Sequence, residues 1–401
     1  MADNTLNKDQ LETIDKLNKW LASGDKFFLL EASAGNGKSF TIKTWLNSFS
    51  SLKTKTIITA PTHEALEEII KDIPGVSGCT VCSLLGYRPS ATDTEAQVLV
   101  RSNAGKKVKK IDYHIVIIDE AFYVPAVLLN VIRENYNNHR FILLGDRTQL
   151  KSIGESESAL IDLIPSIRYK STLSINMRST CEKQKQLVKD VAVQGWDYDF
   201  SKATVSKARV LCGIEDKVAK GDLDFLVIAY RNVIVDFWAK EIRQIIYGHS
   251  TDTPNQVGEE IRLTAVSNGK EGQTIRNNEV VLVSGVDVDY PDNPRFIKVI
   301  RNLGYGFDNG LEEELELDYT GEIAKAYSLA KDEQSPSLWA NYHRLNMKYP
   351  RVKSKWAITA HSSQGKTSNQ VYLDLTDLKR EGSKELLLVA VSRSKERVKC
   401  F

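Results

Sequence analysis

The chain has 401 residues, enough for two to four domains, and its 42% hydrophobic and 26% charged content is that of a globular protein. A net charge of only +2 excludes a general affinity for polyanions, so any nucleic-acid surface must come from local clustering. No apolar run approaches the ~18 residues of a membrane span, and the N-terminus lacks a signal-peptide core. The five cysteines (Cys79, Cys82, Cys181, Cys212, Cys400) offer one C-x-x-C pair, with no second pair or nearby His set to complete a zinc site. Their odd count suits a reducing compartment, so a cytoplasmic protein is expected.

Leu6, Leu11, Ile14, Leu17 and Leu21 recur at helical spacing and predict a helix over 6–21, closed by Gly24. Strands are predicted at 27–30, 56–60, 114–119 and 141–144, with a helix running through Ile70 after the second. Continuous apolar strands alternating with helices indicate a parallel sheet covered on both faces. Residues 86–110 break the rhythm with Pro89, an alternating run at 96–100, Asn103-Ala104-Gly105 and a basic KKVKK. They read as a small hairpin-like insertion or as a disordered surface loop. A second α/β unit opens with a strand at 225–229 and a helix at 233–247. Short β-rich runs at 280–283 and 296–300, separated by turn residues, predict a small barrel or meander. Residues 311–348 are acidic, then aromatic and basic, and show no clear element. Strand texture returns at 356–359 and 371–375, followed by a helix over 384–391.

The most informative stretch is ASAGNGKS, residues 32–39. Strand, glycine-bearing loop, then Lys-Ser at the mouth of a helix is the arrangement that cradles polyphosphate, because loop and helix N–H groups point at phosphate oxygens. It meets G-x-x-x-x-G-K-[ST] except at the first position, where Ala32 stands. Ala34, Gly35, Asn36, Gly37, Lys38 and Ser39 are the candidate nucleotide-binding residues, with Lys38 reaching the β- and γ-phosphates and Ser39 holding Mg²⁺. The bland alternative, a chance GKS, is countered by the strand before it and the helix after it. Asp119-Glu120 end an apolar β-branched run at a sheet edge where parallel-sheet ligands bind. Asp119 suits a Mg²⁺ ligand acting through water, and Glu120 a group that polarises an attacking water. One strand later, LLGDRTQL places Gln149 to sense a γ-phosphate; a loop amide with a backbone partner is the alternative.

The order of motifs is specific. Phosphate loop, APTHEA (60–65), IIDEAF (117–122) and LLGDRTQL (143–150) resemble superfamily 1 helicases. LSINMRS (173–179), ITAHSSQGKT (358–367) and VAVSRSKERV (389–398) resemble later elements of the same superfamily. Within it the chain is most similar to the RecD-like 1B branch, especially Dda-type phage helicases. The likeness is strongest at 26–70, 111–200 and 354–401. It departs from the pattern at Ala32 and at Thr80-Val81-Cys82-Ser83, where the family often has T-x-H.

This resemblance implies an α/β fold of two RecA-like parallel-sheet P-loop domains, with a small hairpin insertion in the first and an SH3-like β-rich insertion in the second. The implied boundaries are 1–85 and 111–180 for the first domain, 86–110 for its insertion, 181–256 and 355–401 for the second, and 257–354 for its insertion. It implies that Gln10 reads adenine, that Arg178 and Arg393 approach the γ-phosphate from opposite sides of an interdomain cleft, and that Gly365 lies near the phosphates. Pro61, Thr62, His63, Thr80, Thr359, His361 and Gln364 would contact DNA. The insertion would be a strand-separating pin with an apolar tip near Val98 or Leu99. ATP and Mg²⁺ would be the cofactors; single-stranded DNA and a duplex fork the partners, with replication or single-strand-binding proteins; and replication, recombination or repair, in a host cytoplasm if phage-encoded, the setting.

Residues 342–356 interleave Tyr342, His343, Arg344, Lys348, Tyr349, Arg351, Lys353, Lys355 and Trp356. That pattern suits base stacking with phosphate tracking, or else a solvated connector packing its aromatics inward. Lys106 to Lys110 read as a solvated flank rather than a phosphate track. The expected function is an ATP-driven helicase moving 5′→3′, the polarity resting on the resemblance alone. A single-strand translocase, a protein–DNA remodeller without strong unwinding and an RNA helicase stand as alternatives.

Overall fold

The computed structural model describes residues 6–33, 35–61, 65, 66, 69, 70, 73–89, 99–101, 111–148, 158–177, 179, 181–248, 257–263, 279–287, 295–301, 310–318, 321–333, 335–364, 366–380 and 382–401. The chain forms two compact units. One comprises Met1–Tyr198, Gln364–Thr367 and Ser383–Arg397; the other comprises Asp199–Ser363, Ser368–Gly382 and Val398–Phe401.

The first unit contains strands β1 (Phe27–Ala32), β2 (Thr56–Ala60), β3 (Ser77–Thr80), β4 (Tyr87–Pro89), β5 (Leu99–Arg101), β6 (Ile115–Ile118), β7 (Arg140–Gly145) and β8 (Tyr169–Leu173). Six of them make a parallel sheet in the order β3-β2-β6-β7-β1-β8. Its central strands are buried on both faces because alternate residues feed two cores. Leu29, Val116, Ile118, Phe141 and Leu143 enter one core. Phe28, Leu30, Ile115, Ile117, Ile142 and Leu144 enter the other, beneath Trp20 and Trp45. β4 and β5 pair antiparallel, Tyr87 opposite Arg101 and Pro89 opposite Leu99. The expected insertion thus contains an antiparallel ladder, with Leu99 within it; Val98 and Lys106 to Lys110 lie outside the described residues.

The first helix, Lys8–Ser23, starts in a capping box in which Asn7 and Gln10 satisfy each other's backbone N–H groups. Its buried positions are Gln10, Thr13, Leu17 and Trp20. Leu11, an apolar position of the sequence pattern, is 55% exposed. The helix face is set by Thr13, whose hydroxyl meets Ser171 Oγ at 2.7 Å, and by Trp20. The edge strands β3 and β8 were not legible in the sequence, since each has polar, partly exposed residues.

In the second unit, strands are β9 (Phe225–Ala229), β10 (Glu260–Leu263), β11 (Glu279–Val286), β12 (Phe296–Arg301), β13 (Leu311–Glu316), β14 (Val352–Ser354), β15 (Ala357–Thr359), β16 (Ser368–Leu373) and β17 (Ser394–Cys400, from Val398 onward in this unit). One sheet runs β15-β9-β16-β17, with β15 and β16 parallel to a fully buried β9. An antiparallel sheet runs β13-β12-β11-β10-β14 over Ile261, Leu263, Val281, Val283, Ile297 and Val299. Residues 311–348, unreadable in the sequence, supply β13 and two helices, Glu322–Glu333 and Pro336–Lys348, packed on Ile323, Ala326, Leu345 and Tyr349.

Ion pairs tie the antiparallel sheet to the helix Asn232–Tyr247: Arg243 Nε to Glu259 Oε1 at 2.8 Å, both buried, and Lys353 Nζ to Asp236 Oδ1 at 2.6 Å. Burial pushes the Glu259 carboxyl up despite Arg243. Within the sheet, buried Arg301 donates to Glu279 at 2.6 and 2.9 Å and to Glu313 at 3.0 Å. Arg301→Ala would leave two carboxylates without their cation, so equilibrium denaturation in urea should show a loss of about 3–5 kcal/mol.

Candidate functional site

β1 ends at Ala32, and the helix Lys38–Asn47 begins after a short loop. Ala34 lies outside the described residues. Asn36, buried, donates from Nδ2 to Leu173 O at 2.7 Å. Gly35 O accepts from Met177 N at 2.7 Å. The loop is thereby tied to the end of β8. Gly37 has φ 84° and, as N-cap, offers no side chain to the helix N–H groups. Donors of the first turn are thus directed toward whatever occupies the loop. Lys38 and Ser39, both half-buried, are the first two residues of that helix.

Gln10 lies against this loop. Its Oε1 accepts from Asn7 N at 3.0 Å, while its Nε2 is buried with no hydrogen-bond partner among the described residues. A Cβ on Gly37 would stand 2.6 Å from that nitrogen. A buried amide donor without an acceptor is costly, and a ligand acceptor would relieve it. Asp9 accepts from Ser174 N at 2.8 Å and Ser174 Oγ at 2.6 Å, hydrogen bonds that hold its carboxyl below the usual range. Ile175 and Met177 follow, both exposed, with Met177 Cγ 3.9 Å from the same Gly37 point. Sequence reasoning missed Asp9, Ser174 and Met177 as neighbours of the loop; only the LSINMRS run pointed to the region.

At the end of β6, Asp119 is buried and donates its N–H to Thr59 O at 2.8 Å. Glu120 has φ 48° and ψ 43° and begins a 3₁₀ turn, Ala121–Tyr123. Among the described residues it is the non-glycine residue with positive φ. Such a backbone costs of order 1–3 kcal/mol and persists where the surroundings over-determine it. Those surroundings include Gly145 at the end of β7, where a Cβ would fall 2.7 Å from Phe122 Cδ2 and 3.3 Å from Ala121 N. Asp146, buried, accepts at Oδ1 from Thr148 N (2.9 Å) and Thr148 Oγ1 (2.6 Å). Arg147 makes a two-pronged pair with Glu31 at 2.6 and 2.7 Å. Gln149 lies outside the described residues. The parallel strands β1, β7 and β6 thus bring Lys38, Ser39, Asp119 and Glu120 to one sheet edge.

In the second unit, Thr359 ends β15, and its Oγ1 accepts from Ser362 N at 3.2 Å and donates to Ser362 Oγ at 3.0 Å. His361 is exposed, its ring 6.0 Å from that of Tyr230. Tyr230, Arg231, Asn232, Thr359, His361 and Ser362 line an open cavity of about 470 Å³. Tyr230 and Arg231 follow β9, and the helix Asn232–Tyr247 starts here with no side-chain cap. Asp377, buried, holds the turn by accepting from Tyr230 N and Arg231 N at 2.8 Å each and from Arg231 Nε at 2.6 Å. Burial pushes the Asp377 carboxyl up, but these hydrogen bonds and the Arg231 charge hold it below its ordinary value. Tyr230, Arg231, Asn232 and Asp377 carried no motif in the sequence.

Pro61 is half-buried just beyond β2; Thr62, His63, Arg178 and Gly365 lie outside the described residues. Thr80 Oγ1 caps the helix Val81–Leu85 by accepting from Ser83 N at 3.2 Å, so its hydroxyl already serves the fold. Gln364 is half-buried after the turn His361–Ser363. Arg393 is buried, its Nε donating to Val389 O at 2.9 Å and its Nη2 to Ser392 Oγ at 2.8 Å. In the 342–356 run, Tyr349 and Trp356 are core residues, and Lys353 and Lys355 pair with Asp236 and Glu260. Tyr349 and Trp356 thus pack inward, on a helix end and beside a strand, while Arg344 and Lys348 are exposed.

Asp377→Ala should destabilise the second unit's pocket turn by about 1.5–3 kcal/mol, the range for hydrogen bonds to a charged group. The sign with pH follows from the depressed folded pKa: the contribution is complete above the ordinary carboxyl value of 3.8 and is lost as pH falls through the folded one. Urea titrations of wild type and variant should therefore differ at neutral pH and converge in acid.

A family model described as an AAA domain matches residues 19–155. An uncharacterized protein of Acanthamoeba polyphaga mimivirus is 21% identical over 495 aligned positions, covering 98% of this chain and 99% of its own. Among solved structures, the Pif1 helicase from Candida albicans superposes with a TM-score of 0.60 at 16% identity, covering 99% of this chain and 94% of that one. The Bacteroides Pif1 helicase in complex with ADP-AlF3 and ssDNA gives 0.56 at 15% identity, covering 99% and 92%. Two parallel-sheet units, with a short antiparallel ladder in one and an antiparallel sheet in the other, give this chain a fold similar to that of the solved Pif1 helicases.

Proposed function

We propose that the protein is an ATP-hydrolysing DNA helicase that translocates 5′→3′ on single-stranded DNA and opens duplex at a fork. The observation that carries this reading is the sheet edge of the first unit. A helix N-terminus headed by Gly37-Lys38-Ser39 shares it with Asp119 and a strained Glu120. Support comes from the similar fold of the Bacteroides Pif1 helicase, which holds ADP-AlF3 and ssDNA, and from that of Pif1 helicases at forked dsDNA. The narrower likeness to Dda-type helicases belongs to this proposal and rests on the sequence motifs.

Lys38 neutralises charge on the transferring phosphoryl group. Glu120 takes the proton of the attacking water, its orientation set by the positive-φ turn. Gln10 offers its buried Nε2 donor to the adenine ring. Ser39, and Asp119 through water, would hold Mg²⁺, which when bound would supply charge neutralisation on the phosphates. Such a small donor set suits an ion that keeps waters and binds substrate phosphates; among the described residues no group of three His, Cys, Asp or Glu gathers. Arg178 and Arg393 complete the charge stabilisation, and Gln149 senses the γ-phosphate. The cavity at Thr359 and His361 grips a strand phosphate through the N-terminus of the helix Asn232–Tyr247 and the half-exposed Arg231. Pro61, Thr62, His63 and Gln364 extend the strand contact, and single-strand-binding or replication proteins are natural partners. Among the described residues no helix is long and apolar enough to cross a membrane.

Lys38→Ala should cut strand-stimulated ATP turnover by roughly 10²–10³-fold, the effect of losing a preorganised charge at the reacting group. Wild-type turnover in that variant would end the assignment. Duplexes with a 5′ or a 3′ single-stranded tail test polarity: release from the 5′-tailed substrate is expected, and release only from a 3′ tail would overturn it. Turnover without strand release would mark a translocase or remodeller, and stronger stimulation by RNA of matched sequence an RNA helicase.

A further inference from the structure

The turn that carries Arg393 is held from both sides by one short segment. The helix Lys384–Val391 ends just before Arg393, and β17 begins just after it. Gln184, buried on the helix Glu182–Gln194, donates from Nε2 to Val391 O at 3.0 Å. Ser179, also buried, donates its hydroxyl proton to Lys395 O, the closer of two carbonyls; Cys181 O is at 3.2 Å. The same oxygen accepts from Cys181 N at 3.1 Å, and Ser179 N donates to Asn176 Oδ1 at 3.3 Å. The carbonyls two residues before and two residues after Arg393 are therefore each fixed by a buried side-chain donor from residues 179–184. The guanidinium donates to Val389 O, Ser392 Oγ and, at 3.5 Å, Lys366 O, all on or beside the same turn.

We propose that Ser179 and Gln184 are positioning residues for Arg393, setting the place of its guanidinium by clamping the backbone on either side. The inference rests on the reading of Arg393 as a phosphate-facing group. Ser179 follows Arg178 in the sequence, so one segment would carry one arginine and hold the turn of the other. Catalytic geometry is sensitive to displacements of about an ångström, which cost on the order of 10²-fold in rate.

The test is steady-state ATP turnover of the full chain with saturating single-stranded DNA. Arg393→Ala should lose roughly 10³-fold or more in kcat, as expected for an arginine acting on a phosphoryl group. Ser179→Ala and Gln184→Met should each lower kcat by about 10–100-fold with KM for ATP within about twofold. Ser179→Thr, which keeps the donor, should restore turnover. Placed in the Arg393→Ala background, Ser179→Ala should lower kcat no further, because the group it positions is gone. Wild-type kcat in both Ser179→Ala and Gln184→Met, beside a collapsed Arg393→Ala, would overturn the positioning role and leave the reading of Arg393 standing. An equal further loss in the Arg393→Ala background would overturn it too, since Ser179 would then act on the fold. Wild-type turnover in Arg393→Ala would remove the reading of Arg393 and this inference with it. Should Ser179→Ala fail to fold, Gln184→Met carries the same comparisons.

Discussion

At residue 37 the backbone takes φ 84°, and the helix Lys38–Asn47 starts on the next residue. A side chain there would be strained by its φ and would strike Gln10 Nε2 at 2.6 Å. The bare backbone therefore does two things at once. It turns the chain so that the helix N–H groups face the loop, and it admits the Gln10 amide to the same space. Both depend on β1 delivering the loop and β8 tying it down, through Asn36 to Leu173 O and Met177 N to Gly35 O. The same logic recurs on the neighbouring strands. Gly145, at the end of β7, leaves room for Phe122, and Phe122 belongs to the turn that holds Glu120 at φ 48°. Two missing side chains at one sheet edge thus set where the charged groups can stand.

The second unit solves a comparable problem with a buried carboxylate. Asp377 accepts two backbone N–H groups and a guanidinium donor, and so shapes the turn between β9 and the helix Asn232–Tyr247. Farther along that helix, Asp236 pairs with Lys353 of the antiparallel sheet, and Arg243 with Glu259 just before its strand β10. The helix that heads the cavity at its N-terminus is thereby fixed along its length. These are hydrogen-bonded, partly or wholly desolvated pairs, and they act by holding geometry more than by adding net stability.

Much of the fold was legible because buried parallel strands advertise themselves. Residues 115–118, 141–144 and 225–229 are continuous apolar runs, 56–60 is apolar apart from Thr56 and Thr59, and each is a strand buried on both faces or nearly so. Edge strands did not announce themselves. Ser77–Thr80 and Tyr169–Leu173 pair on one side only and keep polar residues on exposed positions. The helices at 322–333 and 336–348 hid because their seam is narrow, with Ile323, Ala326 and Leu345 among polar and aromatic neighbours. Of the site, Lys38, Ser39, Asp119 and Glu120 were readable because phosphate and water chemistry demand those residue types beside a glycine-bearing loop and a strand end. Leu11 misled because helical spacing reports an apolar face without saying which partner covers it.

The sequence by itself determined the parallel-sheet class, the phosphate loop and the order of motifs, since each is written in local spacing. The tertiary structure alone decided that Gln10 faces Gly37, that Asp377 holds Tyr230 and Arg231, that Ser179 and Gln184 bracket Arg393, and that Tyr349 and Trp356 are core rather than surface. Each of those pairs residues far apart in the chain. Which amide or hydroxyl meets which carbonyl depends on how layers stack and rotate, and the period of a strand or a helix carries no record of that.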